Sequence, residues 1–449
     1  MGRKTYSRYA FRWLLVLAML GVGGCDLFKQ HDAPVKPVTG KPLDLFVATD
    51  IHYLSPKLHD NGQAFQTFIS DGDGKLLSYI DQMTDAFTEE IFRKKPQALI
   101  LSGDLTSNGE KASHEDLAAK LGRIEASGTA VYVIPGNHDI LNPWARKFKT
   151  DSQYKTEFIT PDQFKQIYGN FGYNEAISSD KTTLSYLAAA SDDLWLLMLD
   201  TSQYDKNTLF GVPQTDGEIP GPTLKWIEEC NDLAQKKGAR ILTVMHHNLT
   251  DHTTVPMEGF TLNNSKEAIR TFKSARLNLI LSGHIHIQDI RDAGDGIYDI
   301  ATSAFGVYPH HYGVLHYEPK PHKVSYHTAQ VDVAQWAQDH HSTDEHLLNF
   351  DAYARQFFAD HSYAKAYPSL KDLDYSEEQK KQMAHAMAEI NVRYFGGTVE
   401  QDRAQLESLP GYQLWLKAKA PFMTDYIKSM LEPKKLDNNS LEVILQGTT

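Results

Sequence analysis

Cysteine is nearly absent, with two residues in a chain of 449. Two thiols close at most one loop, so a disulfide framework is excluded. A thiolate zinc ribbon, which needs about four thiolates per metal, is excluded as well. Blocks of lysine or arginine are also missing, and the formal net charge is −12. No basic face is available to displace counterions, which argues against binding to a nucleic acid polymer. The apolar stretch at 13–22 is too short for a membrane span of about 20 residues. Internal repeats and low-complexity tracts are missing too. What is plentiful is histidine, with 20 copies. That leaves room for a catalytic metal site of imidazoles and carboxylates, although most of these rings are expected on a solvated surface. The length allows two or three domains at roughly 150 residues each, and 41% hydrophobic with 23% charged residues is ordinary for globular chains.

The N-terminus reads as a targeting segment. Arg3, Lys4, Arg8 and Arg12 precede the apolar stretch, and Gly23-Gly24-Cys25 follows it. This looks like a bacterial lipoprotein signal peptide over 1–24, cleaved before a lipidated Cys25; the alternative is a plain secretory signal with an accidental cysteine. Lipidation places the protein outside the cytoplasm, held to the cell membrane by its anchor. Residues 25–42 carry Pro34, Pro37 and Pro42 and read as a tether. The second cysteine, Cys230, falls in an expected amphipathic helix and reads as a buried, inert thiol.

From Leu43 onward, short apolar runs at 43–48, 98–102, 131–134, 194–199, 241–245 and 277–281 read as buried strands. Helical periodicity falls at 75–94, 111–127, 161–168, 222–237 and 265–274, and three further strands follow at 297–301, 313–317 and 323–328. Helix-linked buried strands imply a layered α/β domain over 43–330. The Gly- and Asp-rich stretch 53–74 is expected to be a long loop at a rim, and Asp71-Gly72-Asp73-Gly74 a turn, because the further ligands of a calcium loop are missing. After 331 the composition becomes helical, with helices expected at 335–360, 376–395, 399–408 and 412–430 and breaks at Pro368, Gly396-Gly397 and Pro410-Gly411. This defines a helical C-terminal domain over 331–449. Six aromatic residues between Tyr353 and Tyr375 are spaced for a core rather than for stacking on bases.

The chemically informative residues fall just after expected strands: Asp50-Ile51-His52, Gly103-Asp104, Gly136-Asn137-His138-Asp139, His246-His247 and Gly283-His284-Ile285-His286. Sites in open α/β sheets form beyond the carboxyl ends of the strands, so all five segments should converge on one edge. Each alone is weak, since a lone histidine at a strand end is usually hydrogen-bonded structure. As an ordered set they resemble the calcineurin-like metallophosphoesterase superfamily, and within it most closely the class III cyclic nucleotide phosphodiesterases and lipoprotein members with an added helical domain.

That resemblance implies a four-layer αββα sandwich over 43–330, with an added all-α C-terminal domain. It implies two metal ions, manganese and/or iron, with zinc as an alternative. Asp104 would bridge them, with Asp50, His52 and His286 completing one site and Asn137, His246 and His284 the other. A hydroxide shared by the metals would attack phosphorus, and His138 would protonate the leaving oxygen. Two departures stand out. Ser107 replaces an aspartate that in many members orients the histidine equivalent to His138, so another group must do so here. Asn248 stands where a proline often follows the histidine pair. His247 and Asp139 read as structural or supporting residues, His310-His311 as rim or surface, and Ser102 as a strand-end hydrogen bond.

The resulting expectation is a dinuclear phosphodiesterase acting on a small phosphate ester, of the 3′,5′-cyclic AMP type. An extracytoplasmic phosphomonoesterase, nucleotidase or envelope phosphodiesterase stands as the alternative within the same chemistry. A non-catalytic surface lipoprotein would show a degenerate ligand set, whereas all eight positions are present. Association of the helical domain with a partner or a second copy is compatible with catalysis.

Overall fold

β1 (Leu43–Ala48), β2 (Ala98–Ser102) and β3 (Ala130–Ile134) run parallel, side by side, in the computed structural model, which describes residues 40–255 and 258–447. The signal peptide, Cys25 and the tether up to residue 39 lie outside the described residues. β4 (Arg146–Lys149) and β5 (Ser152–Lys155) form a separate hairpin. The chain then builds a second sheet from β6 (Ser178–Ser179), β7 (Tyr186–Ala189), β8 (Leu194–Leu199), β9 (Arg240–Met245), β10 (Leu279–Ser282), β11 (Asp289–Asp292) and β12 (Tyr298–Ala301). It returns to the first with β13 (His311–Glu318) and β14 (Lys323–Gln330), and again at the end with β15 (Ser440–Ile444). The first sheet has the order β15-β14-β13-β1-β2-β3 and the second β11-β12-β10-β9-β8-β7-β6.

The apolar runs are continuous because each strand is covered on both faces. Side chains alternate across a strand. In β1, Leu45 and Val47 face the second sheet, while Phe46 and Ala48 face helices Ile80–Lys94 and Lys111–Ala126. In β8, Leu196 and Met198 meet the first sheet, while Leu197 and Leu199 meet helices Gly221–Lys237 and Ser265–Ser274. The result is the four-layer αββα sandwich, with one core between the sheets and one outside each. Cys230 is buried in the outer core of the second sheet, and burial pushes its thiol up to about 12, so it is inert.

The helical region differs from expectation in four places, one being that 412–430 is two helices, Pro410–Trp415 and Pro421–Met430. The stretch 335–360 is three helices, Val333–Asp339, Glu345–Leu348 and the start of Phe350–Ser369, because Asp332 and Asp344 cap new starts with their side chains. Pro368 does not break the last of these; it sits in the final turn. The region is also not helical to its end: β15 pairs with β14, Val443 opposite Val324. Helices Glu377–Phe395, Pro410–Trp415 and Pro421–Met430 build a further core around Met383, Trp415 and Met430. The expected loop 53–74 holds a helix, Gln63–Asp71, which buries Phe65 and Ile69. Its apolar spacing is short and easily lost among the glycines and aspartates around it. No helix among the described residues is long and apolar enough to cross a membrane.

Candidate metal centre

The loops leaving β1, β2, β3, β9 and β10 meet at one edge of the sandwich. They bring together two overlapping clusters, Asp50, His52, Asp104 and His286, and Asp104, His246 and His284, with the ligand atoms in each within 4.8 Å of one another. Asn137 joins the second cluster, its Oδ1 3.1 Å from His246 Nε2.

The backbone explains how such short motifs aim their side chains inward. Asp50, His52, Asp104, His284 and His286 all have left-handed φ values, between 47° and 68°. Each costs roughly 1–3 kcal/mol for a residue with a Cβ and persists only where neighbours over-determine it. Here the loops are laced together. The Asp50 and His52 amides donate to the carbonyls of Gly103 and Asp104, and the Gly283 amide donates to that of His246. The glycine of Gly-Asn-His-Asp is required by close approach, since a Cβ on Gly136 would lie 2.2 Å from Asp104 Oδ1.

Each carboxylate divides its oxygens. Asp50 Oδ2 accepts from Thr49 Oγ1 (2.7 Å) and the His284 amide (2.9 Å), leaving Oδ1 buried without a hydrogen-bond partner. Asp104 Oδ1 accepts from the His138 amide (2.9 Å). Its Oδ2 faces His246 Nε2 (3.3 Å), His52 Nε2 (3.8 Å) and His138 Nε2 (3.9 Å). The histidines are fixed by carbonyls. His246 Nδ1 donates to Ser102 (2.9 Å), His284 Nε2 to Gly259 (2.9 Å) and His138 Nδ1 to Ser107 (2.6 Å). A carbonyl only accepts, so a proton sits on that nitrogen and the other is turned toward the cluster. His52 Nε2 and His286 Nε2 face each other at 3.1 Å, and His286 Nε2 lies 3.3 Å from the unpartnered Asp50 Oδ1. Inward-turned ring nitrogens, an orphaned carboxylate oxygen and an amide oxygen converging on one another fit divalent cations with nitrogen and oxygen ligands.

The electrostatics agree. Burial would raise Asp104, but His246 and His138 hold it well below the usual carboxylate range. Burial would lower His246, yet Asp104 and Asp50 lift it to about 9, so its inward nitrogen holds a proton that a cation would displace. For His138 burial dominates and lowers its pKa, with Lys75 adding to the fall and Asp104 and the Ser107 carbonyl opposing it.

All eight sequence-derived positions lie in or beside this edge. The group that orients His138 is the Ser107 backbone carbonyl, at the position of the missing aspartate. Ser102 likewise acts through its carbonyl, and its hydroxyl has no partner. Asp139 fixes the turn, accepting from the amides of Leu105 (3.1 Å), Thr106 (2.9 Å) and Gly136 (2.8 Å). His247 spends both nitrogens on Thr201 Oγ1 (2.7 Å) and the Thr215 carbonyl (3.0 Å). Asn248 donates to Ser282 Oγ (2.9 Å) and the Gly283 carbonyl (3.0 Å), tying its loop to the one that carries His284. His310 is buried against the Phe305 carbonyl rather than on the rim. Sequence reasoning missed Thr49, whose signal was its adjacency to Asp50, Asp73, which was read only as part of a turn, and Lys75, which carried no motif.

An α/β sandwich whose strand-end loops converge on paired aspartates, histidines and an asparagine defines a binuclear phosphoester hydrolase. Residues 44–288 match the family model for the calcineurin-like phosphoesterase, and the chain belongs to that family. Residues 332–437 match the C-terminal domain of cyclic nucleotide phosphodiesterase. The protein is therefore a phosphoester hydrolase that uses two divalent metal ions, and its two parts bear out the resemblance to the class III enzymes. No curated protein matches the chain. Among solved structures it is similar to a dimetal phosphatase from Danio rerio at 13% identity and a TM-score of 0.46, covering 64% of this chain and 96% of that one. It is also similar to GAP50, the anchor in the inner membrane complex of Plasmodium, at 10% identity and a TM-score of 0.35, covering 65% and 85%.

Proposed function

We propose that this protein hydrolyses a cyclic nucleotide of the 3′,5′-cyclic AMP type, with manganese and/or iron in the two sites. Asp50, His52, Asp104 and His286 would hold one ion and Asp104, Asn137, His246 and His284 the other. The observation that carries the substrate reading is the match of 332–437 to the C-terminal domain of cyclic nucleotide phosphodiesterase on the same chain as the hydrolase domain. When bound, the metal pair neutralises phosphoryl oxygens and supplies a nucleophile at neutral pH.

The rest falls to the chain's own side chains. The leaving group of a cyclic phosphodiester is an alkoxide, which needs a proton. His138 is aimed by the Ser107 carbonyl at Nδ1, and Nε2 is the atom that would hold the transferred proton. Asp104 and Asp73 favour the protonated ring, while burial and Lys75 oppose it. Asn137 Nδ2 is buried without a partner and is a donor available to a phosphoryl oxygen. We further propose lipidation at Cys25 and an extracytoplasmic location on the cell membrane, on the order of charged, apolar and small residues before it. The substrate would then be met outside the cytoplasm.

The test is a manganese-supplemented panel of 3′,5′- and 2′,3′-cyclic nucleotides, nucleoside monophosphates and glycerophosphodiesters. The expected outcome is the highest kcat/KM on a 3′,5′-cyclic nucleotide. Preference for monoesters would replace this reading with a phosphomonoesterase. For the anchor, Cys25→Ala should move the protein from the membrane to the soluble fraction.

A further inference from the structure

A cleft of about 340 Å³ opens at His138, lined by Lys75, Asn108, Trp144 and Lys365, with Asp71 and Asp73 also on its wall. Lys75 follows the Gln63–Asp71 helix, and Lys365 comes from the Phe350–Ser369 helix of the C-terminal region. The Lys75 side chain is only 14% exposed, and its ammonium stands 3.4 Å from Asp73 Oδ2.

The segment carrying Lys75 is held from two sides. From the helical region, Lys365 Nζ donates to the Asp71 carbonyl (2.9 Å), and His361 Nε2 lies 3.1 Å from the Ile69 carbonyl oxygen. Gly74 has φ +85°, and a Cβ there would sit 2.8 Å from Phe358 Cδ2, so the Phe358 ring presses directly on the backbone before Lys75. From the sandwich, the Leu76 amide donates to the Gly306 carbonyl, and the Gly306 amide donates to that of Asp50. The backbone that aims Lys75 is thus continuous, through two hydrogen bonds, with the backbone that aims Asp50.

A mostly buried ammonium with a single exposed carboxylate for a partner is short of compensating charge. A phosphate oxygen beside His138 would supply it through a charge-assisted hydrogen bond. We propose that Lys75 binds a non-bridging oxygen of the substrate phosphoryl group in this cleft, and that the helical region holds it in place there. The proposal rests on the phosphoesterase reading and not on the identity of the alcohol or nucleoside attached to the phosphate.

The experiment is calorimetric titration of inorganic phosphate into the manganese-loaded full chain. Lys75→Ala is expected to weaken phosphate about tenfold, the worth of one charge-assisted hydrogen bond, with metal content and Tm unchanged. Lys75→Arg should recover most of that affinity, because it keeps the charge. Lys365→Ala should weaken phosphate by about threefold, through release of the Asp71 carbonyl. Wild-type affinity in Lys75→Ala, no rescue by arginine, or no phosphate binding by the wild type would each overturn the contact. An unchanged Lys365→Ala would overturn the holding role of the helical region. Phosphate binding needs no turnover, so a wild type that spares every cyclic nucleotide sinks the substrate reading, while the loss in Lys75→Ala and its rescue by arginine decide this one.

Discussion

Two buried clusters of histidine and aspartate sit in the same half of the molecule and do different things. One is the metal centre. The other is His252 between Asp289 and Asp299, with Arg291 and Lys434 beside it. In the second, each histidine nitrogen has a carboxylate, Nδ1 with Asp289 at 3.0 Å and Nε2 with Asp299 at 3.1 Å. Asp299 also accepts from the Leu249 and Thr250 amides (2.6 and 3.2 Å) and from Ser282 Oγ (2.7 Å). Asp289 meets Arg291 Nε at 2.6 Å and Lys434 Nζ at 3.1 Å. Burial would lower His252, but the two carboxylates lift it to about 9. Three cationic groups face two carboxylates in this cluster, and each carboxylate has a cation against it; Asp289 Oδ1, which accepts no hydrogen bond, lies 3.1 Å from Lys434 Nζ. In the metal centre Asp50 Oδ1 has no partner and two ring nitrogens face each other. Residue types and burial are alike in the two places. The difference is whether the polar atoms satisfy one another, and that is what separates a structural ion cluster from a ligand set.

The comparison can be broken from either side. Asp104→Ala should reduce turnover by about 10³-fold or more and lower the metal content by elemental analysis, because one side chain serves both clusters. Full metal content with full activity would remove Asp104 from the bridging position. His138→Ala should keep both metals and lose about 10²-fold on an alkyl leaving group, with a smaller loss on an activated aryl ester. Equal losses on both would show that His138 does not protonate the leaving oxygen. On the other side, His252→Leu should cost about 3 kcal/mol in denaturant unfolding while the folded protein still binds two metals. The pH dependence sharpens this. His252 is held at about 9 against an ordinary 6.5, so its stabilisation is complete below pH 6.5 and is lost as pH rises through 9. The stability gap between wild type and His252→Leu should therefore shrink across that window, by up to about 3 kcal/mol; a gap that stays constant would show that His252 is not held protonated. The smallest effect expected is Lys434→Met, about 1 kcal/mol by thermal denaturation, because Asp289 keeps His252 and Arg291.

Much of this was legible in the residues. β1, β2 and β8 match their apolar runs to the residue, since a strand buried on both faces is written as an uninterrupted run. Asp50, His52, Asp104, Asn137, His138, His246, His284 and His286 were found because strand-end position and ligand chemistry coincide. The Gln63–Asp71 helix was hidden by its polar neighbours, and β15 by more than one hundred residues between it and its partner strand. Lys75 had no signature at all, because its place depends on Gly74, Phe358 and Lys365, distant in sequence.

The main buried strands and the helices between them were therefore set locally, by periodicity, and the metal-facing residues by ligand chemistry at strand ends together with the resemblance of the ordered set to the calcineurin-like pattern. Which nitrogen of His246, His138 and His284 faces the cluster was decided only in the folded chain, because the carbonyls of Ser102, Ser107 and Gly259 that take the proton of the other nitrogen come from separate loops. The same holds for the fate of His252 against His246. Both are buried histidines among aspartates, and only the tertiary arrangement sets His252 between two carboxylates and turns His246 toward Asp104 and Asn137, in the centre that holds the unpartnered Asp50 Oδ1.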